Sequence, residues 1–114
     1  MSISSYRDLK VWQDSFLIAT DVYELTKKLP ATEMYGLSSQ MQRCAISIPS
    51  NIAEGQQRTG SKEFKQFLGI ARGSAAELST QLLLLNKVYG HDTSNLVSRL
   101  ESLQKMLYSL QSKL

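Results

Sequence analysis

The stretch KEFKQFLGIARGSAAELSTQLLLLNKVY, residues 62–89, decides the fold. Phe64, Phe67, Ala71, Ala75, Leu78, Leu82, Leu85 and Tyr89 recur along it every three or four residues. That is the stripe of a helix with one buried face. The apolar run Leu82–Leu85 falls far short of the roughly 20 residues that span a membrane. Roughly opposite the stripe lie Gly69, Gly73, Ala76 and Thr80, all small. Two glycines inside a helix cost about 1 kcal/mol each against alanine. A bare helix face lets another backbone come close, which makes Gly69, Gly73 and Ala76 candidate contacts with a neighbouring subunit. Lys62, Lys65 and Arg72 flank this face, the last two about 10.5 Å apart along the axis.

Outward from this helix, Gly90-His91-Asp92 reads as a turn. A fourth helix follows from about Thr93 to Lys113, with Leu96, Leu100, Leu103, Leu107, Leu110 and Leu114 in register. Upstream, Thr59-Gly60-Ser61 is a turn in which Ser61 can cap the helix. The second helix should run from about Leu37 to Arg58, with Leu37, Met41, Cys44, Ile48 and Ile52 on its core side and Ser39 and Gln42 at capping-box spacing. Pro49 lies inside it, removes one backbone donor and crowds the Ala45 carbonyl. The pattern predicts a kink there, the alternative being two shorter helices that meet near Ile48. The first helix should run from Tyr6, capped by Ser5, to Leu29 before Pro30. It carries two apolar stripes about 120° apart. Leu9, Trp12, Phe16, Ala19 and Tyr23 read as its core. Val11, Ile18, Val22, Leu25 and Leu29 read either as a widening of that core or as a second buried surface, with Val11, Ile18 and Val22 as candidate subunit contacts. No segment reads as a strand. Short connections make consecutive helices neighbours, so residues 1–114 are expected to form one domain, an all-α, antiparallel, up-down-up-down four-helix bundle.

The chain has 114 residues, a net charge of +3, one cysteine and one histidine. Cys44 reads as a small core residue and His91 as a solvated turn residue. Together they make neither a metal cluster nor a nucleophilic pair. Glycine-rich phosphate signatures are absent, so no cofactor or metal is expected, and an enzyme is not. Met1 to Arg7 carry no secretory apolar stretch. With no internal disulfide possible, the expected location is the cytoplasm. Arg43, Arg58, Lys62, Lys65 and Arg72 share a window with only Glu54 and Glu63. That excess of three equals the charge of the whole chain. Glu54 shares a face with Arg43, Ser47 and Ser50 and is read as an arginine ion pair within the bundle or between subunits.

Five segments carry a resemblance: Tyr6-Arg7-Asp8-Leu9-Lys10-Val11-Trp12-Gln13, Tyr35-Gly36-Leu37-Ser38-Ser39-Gln40-Met41, Ile48-Pro49-Ser50-Asn51-Ile52-Ala53-Glu54-Gly55, Lys62-Glu63-Phe64, and Ala71-Arg72-Gly73-Ser74-Ala75-Ala76-Glu77-Leu78. Together they resemble the bacterial four-helix-bundle family of 23S rRNA intervening-sequence proteins. Pro49, Ser50, Asn51, Glu54 and Gly55 form the most specific part. The resemblance implies a homo-oligomer, a pentameric ring. It also implies kinship with the accessory variability determinant of diversity-generating retroelements, a basic barrel that binds nucleic acid. The expected function is a non-enzymatic oligomeric binding module whose basic residues neutralise RNA or DNA phosphates. The alternative is a protein-interaction adaptor that binds no nucleic acid.

Overall fold

The computed structural model describes residues 5–114; Met1 to Ser4, part of the N-terminal stretch read above, lie outside the described residues. The chain forms α1 (Lys10–Thr26), α2 (Leu37–Gln57), α3 (Ser61–Tyr89) and α4 (Ser94–Ser112), with 3₁₀ turns at Tyr6–Asp8 and Ala31–Glu33. No strand occurs among the described residues. The bundle is an elongated rod of 45 × 22 × 20 Å.

α1 packs on α2 and α4, α2 on α3, and α3 on α4. Cys44 meets Gln81, Ser47 meets Ser74, and Gly55 lies against Phe67. Likewise Arg72 meets Gln111, and the Leu82 carbonyl meets Thr93. In both pairs of helices, rising numbers on one meet falling numbers on the other.

The first helix differs from its expected form. Leu9 is extended, so Tyr6–Asp8 is a separate 3₁₀ turn, and Ser5 caps that turn by accepting from the Arg7 N–H. Both stripes of α1 contribute to one wide core: Ala19 is buried with the second stripe, and Leu9 and Trp12 pack partly buried against it. Val11, Ile18 and Val22, expected as subunit contacts, are instead buried in the core of the single chain. Phe16 and Tyr23 are exposed and Trp12 half-buried. The buried side of α1 is small-sided, because Ser15 and Ala19 share it. Small and β-branched side chains let α1 sit close to its neighbours, where rings would hold it away.

α2 runs unbroken through Pro49, which excludes the two-helix alternative. Its start is not a capping box. The N-cap is Gly36, the Leu37 N–H donates to the Glu33 carboxylate, and Gln42 reaches across to Thr26. Similarly, α3 begins after Gly60 with no side-chain cap, and Ser61 is already helical. Gly90 ends α3 in the left-handed region, at φ 73°, where glycine is favoured. Leu68 joins Ala71, Ala75, Leu78, Leu82 and Leu85 in the core, while Phe64 and Phe67 are half-buried and Tyr89 exposed. On α4, Leu96, Leu100, Leu103 and Leu107 are buried.

Candidate nucleic-acid interface

Five cations were candidates, and the fold divides them. Arg43 and Arg58 belong to α2 and are fifteen residues apart, about 22 Å along the helix. Arg58 is bound to acids. Its guanidinium lies 2.7 Å from Glu54, 3.7 Å from Glu63, and 5.1 Å above the Phe67 ring centroid. The Glu54 hydrogen bond raises its pKa above the ordinary arginine value. Glu54 is thus the ion-pair partner of an arginine within one bundle.

Lys62, Lys65 and Arg72 stay together on α3, and α4 adds to them. Arg72 Nη1 donates to Gln111 Oε1 at 2.7 Å, and Gln111 Nε2 donates to the Lys65 carbonyl at 2.9 Å. The Arg72 guanidinium lies 4.9 Å above the Tyr108 ring centroid. Arg72, Glu101, Gln104, Lys105 and Tyr108 line a shallow hollow. Lys105 and Tyr108 were missed in the sequence because nothing there shows which turn of α4 lies beside Arg72. Among the described residues, ion pairs engage Lys10, Lys27, Arg58 and Arg99, so Lys62, Lys65, Arg72 and Lys105 stand outside them.

The small-residue face of α3 looks outward. Gly73 has open space above it, while Gly69 is backed by Gln111. Ile70, Leu84 and Val88 are exposed on the same helix.

A second surface lies between α1 and α2. Tyr6, Trp12, Phe16, Tyr23, Ile46, Pro49 and Ala53 line a groove of about 590 Å³. Tyr6 meets the edge of Trp12 at 5.3 Å, and Trp12 stacks on Phe16 at 5.0 Å. Three of them, Trp12, Phe16 and Tyr23, come from the expected core stripe of α1.

Cys44 is buried and receives a hydrogen bond from Gln81. Burial first, then the neighbouring Glu77, pushes its thiol pKa up, away from the reactive thiolate. Among the described residues no group of histidine, cysteine and carboxylates is placed to hold a metal ion. No helix there is long and apolar enough to cross a membrane.

Residues 7–109 match the family model of the 23S rRNA-intervening sequence proteins. The chain belongs to that family. It is also similar to the crystal structure of a protein of unknown function from the S23 ribosomal protein family of Bacteroides thetaiotaomicron. The two chains are 25% identical with a TM-score of 0.81, over 89% of this chain and 97% of the other. No curated protein matches the sequence.

In this chain the Pro49–Gly55 stretch has structural roles. Pro49 is buried beside the groove, which Ser50 also lines. The Asn51 amide donates to the Ser47 carbonyl and hydroxyl, and the Ser47 hydroxyl bonds Ser74 on α3. Glu54 holds Arg58. Gly55 leaves room for Phe67.

Proposed function

We propose that the protein is a non-enzymatic binding module that grips nucleic-acid backbone along the α3–α4 seam and works as a homo-oligomer, a pentamer if it follows its resemblance. The observation that carries this reading is a row of cations, Lys62, Lys65 and Arg72 on α3 with Lys105 of α4 beside Arg72, outside the ion pairs found among the described residues. Unpaired cations release the counterions of phosphates when they bind. Such contacts position a nucleic acid without reading its sequence. Arg43 and Arg58 are peripheral here, since both belong to α2 and the second is held by two carboxylates.

The test is binding of random-sequence RNA and duplex DNA across a salt series. Micromolar affinity that falls steeply with salt is expected, with a logarithmic slope of about 0.9 per phosphate contacted on duplex DNA. Lys65→Glu combined with Arg72→Glu should abolish binding, with helix content and oligomer retained. Arg58→Gln should change it little. Equal affinity in the double variant removes the seam from the mechanism.

The groove favours a second reading, a protein-interaction adaptor without nucleic-acid binding. Exposed apolar surface of this kind marks contact sites. Absence of nucleic-acid binding even at low salt moves this reading to first place.

A further inference from the structure

We infer that the hollow beside Arg72 takes an unpaired nucleobase, so that the seam prefers single-stranded to duplex nucleic acid. This rests on the nucleic-acid reading above and adds the class of strand that the seam accepts.

The geometry is that of a stacking platform. Tyr108 is 59% exposed, and the Arg72 guanidinium lies 4.9 Å above its ring centroid. The guanidinium is held in place by a relay, from Arg72 Nη1 to Gln111 Oε1 and from Gln111 Nε2 to the Lys65 carbonyl. A platform fixed before binding loses less side-chain freedom when the ligand arrives. The hollow measures about 380 Å³, within the roughly 300–1,000 Å³ of small-ligand sites. Its remaining lining suits the edge and tail of a nucleotide. The Glu101 carboxylate can accept from a base N–H, the Gln104 amide can donate and accept, and Lys105 can meet a phosphate.

Flat side chains recognise bases only when the bases are splayed out. Aromatic rings and guanidinium planes stack on unpaired bases in single strands, whereas duplex bases are occupied by their neighbours. Glu101 fits the same reading. A carboxylate beside Arg72 and Lys105 repels phosphate, yet it suits the amino groups on a base edge.

The test uses the full chain, titrated at one low salt concentration with labelled single-stranded RNA and DNA of about 12 nucleotides and with a duplex of the same length. Single strands should bind about tenfold more tightly than the duplex. Tyr108→Ala should lower single-strand affinity about tenfold, the loss expected for one stacked base, and leave duplex affinity and salt slope unchanged. Tyr108→Trp should retain the preference. The inference is overturned if Tyr108→Ala leaves single-strand binding intact, or weakens strand and duplex equally, while Lys65→Glu still weakens both; the backbone reading then survives alone. No binding of any nucleic acid overturns both.

Discussion

At Gly55 a single hydrogen atom decides how closely α2 and α3 meet. A Cβ built there would lie 2.6 Å from the Phe67 Cβ and 3.0 Å from a Phe64 ring carbon. Both residues would have to shift, and the Phe67 Cβ, next to its backbone, cannot swing aside. Gly55→Ala is therefore expected to destabilise the fold by about 1–3 kcal/mol through overpacking. Its helix propensity would favour the opposite sign, by about 1 kcal/mol. Chemical denaturation measures the net effect, and a variant as stable as the parent would mean that the two phenylalanines yield without strain. Gly73 is the contrast, with nothing within 4 Å of the same position. The sequence drew attention to Gly73 through its stripe, while Gly55 stood out only as part of a family segment. A close approach between helices depends on which residue of α3 arrives opposite, and one helix read alone does not contain that.

At the scale of elements, the four helices were legible because their apolar periods are long and regular. The orientation of α1 was not. Both sides of α1 are apolar, and the rings of Phe16 and Tyr23 read as core although they are exposed, while Val11, Ile18 and Val22 fill it. Ser15 and Thr26 also disguised the true core face, since polar residues interrupt the stripe of Val11, Ile18 and Val22. Their hydroxyls are satisfied locally, donating to the Trp12 and Tyr23 carbonyls at 2.9 Å each, so burial leaves no unpaired donor. The ends of elements were similarly hidden, because α2 takes its first cap from Glu33 in the preceding turn. That carboxylate accepts the Leu37 N–H at 3.2 Å and the Tyr89 hydroxyl at 2.5 Å, which ties the start of α2 to the end of α3. The Tyr89 hydrogen bond, then the Leu37 one, lowers the Glu33 pKa. The folded protein thus keeps this carboxylate ionised where the unfolded chain, with a pKa of roughly 4.3, begins to protonate. Its contribution is full above that value and is lost as pH falls through the lower folded pKa. Glu33→Gln mimics the protonated group. The difference in melting temperature between parent and variant should be constant from about pH 7 to pH 5 and close below about pH 4. A difference that persists unchanged into that acid range removes the charge of Glu33 from the account.

At the scale of the whole molecule, one bundle leaves two unlike surfaces open. The α1–α2 groove is concave and aromatic, and the outer face of α3 is aliphatic and small-sided. The core already contains leucines and isoleucines from all four helices, so neither surface is needed to hold one chain together. Exposed patches of this kind on a small domain are characteristic of association. Two different patches on one chain favour head-to-tail contacts, which close into rings when the rotation allows. The proposed oligomer is therefore expected to use the groove in place of Val11, Ile18 and Val22, which the core has claimed. Phe16 is 47% exposed in the single chain, so Phe16→Glu should cost the monomer little. In an apolar interface the same change buries an unpaired charge, which breaks the contact or forces the group to protonate. Sedimentation should show the parent as an oligomer and Phe16→Glu as a monomer with unchanged helix content. Gly73→Leu tests the other surface, since nothing lies within 4 Å of that position in one chain and added bulk can hinder only a neighbour. A parent that sediments as a monomer ends the oligomer proposal. An oligomer that withstands Phe16→Glu but dissociates with Gly73→Leu places the contact on α3 alone and leaves the groove to a different protein.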